Sequence, residues 1–599
     1  MLGKLALAGA KSRIKDYLVL FSGLVISSAI FYMFCTLAIN DKYLKANGAL
    51  IKNSVLIFGF GLVMLAIITL VYIMYANNFL LSMRKRDYGL FMMLGAKKKK
   101  IGLLMSAETL LIGGSATVCG LVLGGLMSAG VSRFFGHLLE ASMKHYSPVY
   151  GPAILLTLVL YLALFVIAAF FNTVTMVRKP ALQLLRDTAR PSRNTQKSFV
   201  LWFQALIGLV ILCGDYYLMA NFDLLKFQTI PVCLALTIIG SYLVFNGIVI
   251  VIINLLRKSR LAKKGLNSFT LGQLRFRIHD YTKILTVVSL LFSLALGAFA
   301  TGIGFKGQTE QSAQSTAAYS MAIYSPSAGE KRAINQIKKT RTDVYHYKQA
   351  GRTYYYSAAE FNRKPFATVK ISKNIYNSKT ADRSGSYLQK NSYELMQYSA
   401  GRQNVILSQK AYQRLARPER KVIFFRVVSL SQQAGELKRL SQMEAKRHQS
   451  WFSSQNGDSY NVAGGGQYQA YKEANTIYSG LEFMGCFLAF AFLAMLASCL
   501  MFKILSGASE DVPRYRTLNM IGAGHRKMSW AVNKEIGILF FLPGLLGIVN
   551  VLFGLQLFKQ IMVDPYHNLL VPFGIFIVLY MFYYFLVSWM YRKIVLPQK

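Results

Sequence analysis

The sequence predicts a polytopic α-helical membrane protein: ten transmembrane helices in two repeated four-helix units (helices 1–4 and 7–10) plus helices 5 and 6, with one α+β extracellular domain. Three observations carry this reading: a series of long apolar runs, an alternation of basic residues between them, and two stretches that recur along the chain. Length alone would suggest about four soluble domains, but the distribution of apolar residues overrides that prior.

The runs lie at 17–38, 54–76, 106–130, 150–172, 199–219, 230–255, 284–305, 478–502, 535–558 and 571–590. Each is long enough to cross a hydrocarbon core of roughly 30 Å. The first is too long and too aromatic for a signal-peptide core, and no small-residue cleavage site follows it. With the N-terminus inside, the inside segments 1–16, 77–105, 173–198, 256–282, 503–533 and 591–599 hold 32 Lys and Arg. The short outside loops 39–53, 131–149, 220–229 and 559–570 hold 7. This bias follows the positive-inside rule. It explains much of the net charge of +43 without nucleic acid, which the membrane spans exclude as a partner. The expected location is the cell membrane, multi-pass, with both termini cytoplasmic and 306–475 extracellular.

The chain repeats itself. RIKDY (13–17) enters the first run and RIHDY (277–281) enters the seventh, at an offset of 264. DYGLFMMLGAKKKK (87–100) matches RYRTLNMIGAGHRK (514–527) at an offset of 427. Tyr88/Tyr515, Gly95/Gly522, Ala96/Ala523, Glu108/Glu535 and Gly120/Gly547 pair at that second offset. One large insertion accounts for the difference between the offsets. Both units start inside, so the repeat is parallel. The expected segments are an N-terminal amphipathic helix over 1–16, the first four-helix unit over 17–190 and linking helices 5–6 over 199–256. An amphipathic segment over 257–283, helix 7 over 284–305, the extracellular domain over 306–475 and helices 8–10 over 478–599 complete the chain. Both amphipathic segments suit the inner interface, with basic side chains toward anionic headgroups.

The inserted segment reads as α+β. YSMAIYS (319–325), DVYHYKQ (343–349), RTYYYSA (352–358) and KVIFFRVVSL (421–430) have the β-branched, aromatic composition of strands. Stretches near 407–418 and 433–448 have helical apolar spacing, and 452–468 reads as a flexible loop. The six cysteines all fall within apolar runs, so no disulfide framework is expected in this domain.

No enzyme site is visible. GIGFKGQT (302–309) has Gln308 where a P-loop needs lysine to neutralise phosphate charge. The seven histidines (137, 145, 279, 346, 448, 525 and 567) form no metal-ligand pattern. Charge within the spans is nearly absent, so any transport must be driven from elsewhere, most simply by a separate ATPase. Glu108 and Glu535 fall near the inner ends of helices 3 and 9, where capping or pairing with Lys97–Lys100 and Lys534 is the plain expectation. The repeated element DYGLFMMLG offers an apolar tip (Tyr88, Leu90, Phe91, Leu94) inside a basic rim, a combination that suits a small docking interface. Gly95 and Gly522 suit a left-handed helix C-terminus.

At this point the chain resembles a family. RKRDYGLFMMLGAKKKKIGLLMSAETLLIGG is similar to the signature of FtsX-like permease domains of ABC transporters, and 510–547 resembles a second copy. Ten helices, two copies and one outside domain between helices 7 and 8 resemble the bacitracin-efflux (BceB-like) antimicrobial-peptide resistance branch. The resemblance implies a permease with two copies of a separate ATPase subunit, which would bind ATP and Mg, so that this chain needs no cofactor of its own. It implies resistance to peptide antibiotics that seize undecaprenyl-pyrophosphate or lipid II, and a membrane histidine kinase as a further partner. By position, Tyr88, Gly89, Leu90, Phe91, Gly95, Tyr515, Leu518 and Gly522 would dock the ATPases. Arg516 in place of Gly89, and Pro513 before the tyrosine, suggest weaker or differently shaped docking at the second copy.

The inserted domain carries 27 Lys and Arg against 11 Asp and Glu. Such a domain repels cationic peptides and attracts pyrophosphate or anionic lipid heads. Lys338, Lys339, Arg341, Arg420 and Lys421 are the candidate contacts. Two other functions share these features: a mechanotransmitter controlling a cell-wall hydrolase, and a membrane receptor or signalling scaffold without transport.

Overall fold

A backbone in hydrocarbon has no water to satisfy its N–H and C=O groups, so the apolar runs must fold as helices. The computed structural model describes residues 14–40, 49–139, 147–177, 198–259, 266–370, 379–399, 402–447, 465–560, 562 and 564–596. The helices outside the inserted domain are α1 (Ile14–Ile39), α2 (Ala49–Met93), α3 (Lys98–Leu139), α4 (Gly151–Val177), α5 (Ser198–Ala220) and α6 (Thr229–Lys258). They continue as α7 (Asn267–Gly307), α8 (Gly466–Met520), α9 (His525–Gly554) and α10 (Leu570–Val595). Among the described residues, nine helices are long and apolar enough to cross a membrane. The second expected run falls in α2, whose described apolar part is Phe58–Met74. Most of the expected N-terminal amphipathic helix over 1–16 lies outside the described residues.

The packing follows the repeat. In the first half α1 packs on α2, α3 and α4; in the second, α7 packs on α8, α9 and α10. Helices α5 and α6 pair closely, and α6 lies against α7. The halves meet where α8 packs on α1 and α2. There the rings of Phe34, Phe58 and Phe483 cluster, and the buried Tyr72 hydroxyl bonds Ser498 Oγ at 2.7 Å.

Two expected boundaries move. The amphipathic segment at 257–283 is not a separate element from Asn267 onward, because it runs unbroken into α7. Helix α8 starts at Gly466 rather than 478 and extends through 55 residues, about 82 Å of helix. Its lead segment, QYQAYKEANT, is too polar for hydropathy to reveal. Its start depends on Gly465 and Gly466, both at positive φ. A methyl at Gly466 would also stand 2.7 Å from the Tyr319 carbonyl oxygen.

The inserted domain holds a five-stranded sheet in the order β1-β7-β2-β3-β6, antiparallel except for the parallel β3–β6 pair. The strands are β1 (Met321–Tyr324), β2 (Lys339–Ala350), β3 (Thr353–Ser357), β6 (Gln403–Leu407) and β7 (Glu419–Val427). A separate antiparallel pair is formed by β4 (Phe366–Lys370) and β5 (Lys379–Arg383). The four expected strands are present; β4, β5 and β6 are additional. The expected helical stretches become Gln409–Arg414 and Ala434–Arg447, and the expected loop at 452–468 falls outside the described residues as far as 464.

Both sheet faces are covered. One carries a tyrosine-rich core of Tyr324, Tyr345, Tyr347, Tyr354, Tyr356 and Phe424. The other packs Met321, Ile323, Phe425 and Val427 against the helices Ala328–Gln336 and Ala434–Arg447 and against Tyr468 of α8. Tyrosine serves a half-polar core because each hydroxyl can find a partner. Tyr324 and Tyr356 bond each other at 3.1 Å, and Tyr347 bonds Ser325 at 2.8 Å.

A charged cluster is buried beside this core. Glu330 closes a capping box with Ser327 and accepts Arg447 at 3.3 Å. Arg447 also donates to the carbonyls of Tyr324 and Ser325 at the end of β1. Glu444 is buried next to it and shares this one arginine with Glu330. Burial outweighs the Arg447 charge and, with help from Glu330, pushes the Glu444 carboxyl up to about 8. The folded state therefore binds a proton that the unfolded chain releases near its ordinary value of 4.5. Stability from this site is complete below that value and falls as pH rises toward 8, by on the order of a few kcal/mol. Hydrogen exchange of β1 and the Ala434–Arg447 helix in the full chain, corrected for intrinsic rates, should show protection declining from pH 6 to pH 9. Glu444→Gln should flatten that decline.

Candidate functional site

The repeated element becomes a pair of matching turns. At the end of α2 the amide of Gly95 donates to the Met92 carbonyl at 3.1 Å, and that of Ala96 to the Phe91 carbonyl at 2.9 Å. At the end of α8, Gly522 donates to Asn519 at 3.0 Å and Ala523 to Leu518 at 3.0 Å. These are the two bonds of a Schellman cap, which requires a left-handed residue. Gly95 has φ 93 and Gly522 φ 91. The following helices start at Lys98 and His525, again 427 apart. Pro513 and Arg516 do not alter this backbone. The helix continues across Pro513, and Arg516 projects into the open where Gly89 is buried. The main chain of the second turn therefore matches that of the first, while the side chains around it differ.

The tyrosines support each turn from within. Tyr88 and Tyr515 are each only 2% exposed. Tyr88 donates to Glu108 Oε2 at 3.4 Å, and Tyr515 to Glu535 Oε2 at 3.5 Å. Both carboxylates are buried and belong to the helix that leaves the turn. Each turn is thus tied by a hydroxyl–carboxylate contact between its incoming and outgoing helices. Lys534 does not serve Glu535 in this role. It donates to Asn267 Oδ1 at 2.8 Å and lies over the Trp530 ring.

Burial corrects the apolar tip. Tyr88 and Gly89 point away from solvent, whereas Leu90, Phe91, Met93 and Leu94 are exposed, Leu94 by 85%. At the second turn Leu518 is half-buried, and Met520 and Ile521 form the tip, Ile521 being 78% exposed. Met93, Met520 and Ile521 were not singled out from the sequence. The usable signal is position, because the two residues before each left-handed glycine stand at the apex of the cap. The Lys97–Lys100 run is exposed around the first tip, and Arg526 and Lys527 are exposed beside the second.

The five candidate cations of the inserted domain do not gather. Lys338, Lys339 and Arg341 enter β2, while Arg420 and Lys421 lie across from Tyr347 and His346 near its other end. That separation is about 17 Å along the strand. Lys339 donates to the Ile334 carbonyl at 2.7 Å, and Arg420 reaches Gln349 Oε1 at 3.2 Å. Arg341 bonds Asp343 at 2.6 Å and Asp382 at 2.7 Å. Lys338 and Lys421 are exposed. The grouping expected from the sequence is therefore replaced by two separate basic edges. Among the described residues, no three His, Cys, Asp or Glu side chains are grouped so as to hold a metal ion.

Residues 59–181 match the family model of the FtsX-like permease C-terminal domain, which covers the first turn and the helices on either side of it. The chain is 23% identical over 609 residues to the ABC transporter permease protein YxdM of Bacillus subtilis, an alignment covering 94% of this chain and 93% of that protein. It is 24% identical over 307 residues to the bacitracin export permease protein BceB of the same organism, covering 49% and 47% of the two chains. The BceB of Halalkalibacterium halodurans is also 24% identical, over 308 residues covering 49% and 46%.

An alanine at Gly95 or Gly522 meets no neighbouring atom within 4 Å, so its cost is conformational alone. Gly95→Ala and Gly522→Ala should each destabilise the purified chain by about 1 kcal/mol, read as a lower Tm. Asparagine at either position should cost less than alanine, because it tolerates the left-handed region better.

Proposed function

We propose that this chain, which carries an FtsX-like permease domain, is the membrane-spanning subunit of an ATP-driven ABC transporter. Two copies of a separate ATPase subunit, which bind ATP and Mg, dock on the two turns. The transporter confers resistance to cell-wall-targeting peptide antibiotics by releasing them from undecaprenyl-pyrophosphate or lipid II, and it signals its activity to a membrane histidine kinase. The names of the relatives support the transporter class and the peptide-antibiotic reading.

The observation that carries the docking part is the matched pair of capped turns with exposed apolar apices in basic surroundings. An exposed Leu94 and Ile521 cost solubility and do nothing for the core, so they suit an interface. An apolar anchor within a charged rim suits a small interface whose affinity rests on few residues. The buried Tyr–Glu contacts make each turn a rigid handle, so force on the apex passes to two helices at once.

Transport would then be a coupled change between two states. Closure of the ATPases displaces the turns, the halves shift across the α8 interface with α1 and α2, and α8 carries the displacement to the inserted domain. The two basic edges of that domain suit the pyrophosphate of a peptide–lipid complex better than a cationic peptide.

Leu94→Ser with Ile521→Ser should leave expression and membrane insertion unchanged. It should abolish co-purification of the ATPase and lower the minimum inhibitory concentration of bacitracin-type peptides in cells. Retention of both ATPase binding and resistance in the double variant would sink the docking assignment. Unchanged peptide sensitivity on deleting the gene would sink the resistance reading.

A further inference from the structure

Two of the four tryptophans of the chain lie on the contacting helices α9 and α10, outside the turns. Trp530 is 59% exposed and Trp589 51%. Each lies under a lysine: Lys534 Nζ is 3.3 Å from the Trp530 ring centre, and Lys593 Nζ is 4.1 Å from that of Trp589.

Polar contacts fix how the two helices face each other. Arg592 Nη1 donates to Ser529 Oγ at 3.2 Å, and Ser588 Oγ donates to Asn533 Oδ1 at 2.7 Å. Rising residues on α9 meet falling residues on α10, so the helices are antiparallel. Trp530 and Trp589 each follow a facing residue by one position, a rotation of about 100°. Viewed from one end, antiparallel helices rotate in opposite senses, and opposite rotations from facing positions lead to the same flank. Lys534 and Lys593, one turn farther along, fall on that flank as well.

We infer that this flank is a binding site for the headgroup of an anionic phospholipid in the leaflet at the turn-bearing end. Among the described side chains no acidic group pairs with Lys534 or Lys593: Glu108, Asp511 and Glu535 are buried and turned to the core, bonded to Tyr88, Tyr591 and Tyr515. Indole rings sit at the headgroup level, where one face meets acyl chains and the ring edge meets water. Two ammonium groups held above them leave donors free for a phosphate between the helices, with Arg592 at the seam. Exposed apolar residues continue along the same faces, Phe541 and Leu545 on α9 and Phe582 and Phe585 on α10, and would hold the acyl chains. This site does not depend on the transport reading.

The test uses the full-length chain in nanodiscs of phosphatidylcholine, with Trp202→Phe and Trp451→Phe so that only Trp530 and Trp589 emit. A small fraction of brominated phosphatidylglycerol or brominated phosphatidylcholine serves as the quencher. Two surface lysines predict a preference for the anionic quencher on the order of tenfold at low salt, shrinking as salt rises. Lys534→Gln with Lys593→Gln should bring the two quenchers to parity while leaving quenching by brominated phosphatidylcholine unchanged. Equal quenching in the parent protein, or a preference that survives the double substitution, would overturn the assignment.

Discussion

Helices α7 and α8 touch backbone to backbone, and most of the molecule hangs on that contact. A methyl at Gly485 would overlap the Ala298 carbonyl oxygen, and one at Gly302 would stand 3.0 Å from the Leu481 carbonyl. Small residues of this kind let helices approach where lipid supplies no hydrophobic drive to associate. Above the contact, Lys306 of α7 donates to Asn475 at 2.5 Å and to Ser479 at 2.6 Å, both on α8. The pair therefore behaves as one beam. Its upper end is built into the inserted domain, where Gln467 bonds Ser320 and Ala317 and Tyr468 joins the second core. Its lower end is the second turn. The helix is continuous between the two ends, with Pro513 near the turn.

The two halves share a backbone plan and differ in how each turn is tied in. Tyr88 belongs to a small cluster with Ile101, Leu104 and Met105. Tyr515 belongs to the main core, meeting Phe269 of α7 edge-on at 5.8 Å. Near it, Arg514 bridges Asp511 and Gln273, and Asp511 accepts the Tyr591 hydroxyl. The second turn is thus braced by α7 and α10 together, which explains how α8 tolerates Pro513, whose ring removes a backbone donor. The same cap therefore stands on two different footings.

Much of this was legible in the sequence because hydrocarbon leaves the chain little choice. Runs long enough to span must be helices, and a repeat at a fixed offset forces equivalent turns. Gly95 and Gly522 were readable for the same reason, since few residues accept a left-handed cap. The tyrosines misled, because Tyr88 and Tyr515 repeat for an internal purpose. Their partners Glu108 and Glu535 repeat with them, and the repeated pair was the available clue. The start of α8 was hidden by composition, as its polar first turns pack on the inserted domain and not on lipid. β4 and β5 were hidden because FATVK and KTADR lack the run of aromatic side chains that marks β3. The basic cluster was misread because nearness in sequence says nothing about which end of a strand pair a side chain reaches.

The charge of the inserted domain shows where sequence counting stops. Its excess of cations looks like a surface built for anions, yet several of those cations hold main-chain carbonyls instead. Lys339 takes that of Ile334, and Lys348 takes Tyr412 and Leu415 at the end of the Gln409–Arg414 helix. Arg341 reaches Pro365, and Arg447 reaches Tyr324 and Ser325. Helix ends and strand ends leave carbonyls that need donors, and a long basic side chain can supply one while its charge complements the helix dipole. A domain of short helices and short strands has many such ends. It therefore uses Lys and Arg as structural donors, without a matching number of acids. The charge still shapes the field around the domain, but the groups free to move toward a ligand are fewer than the net value suggests.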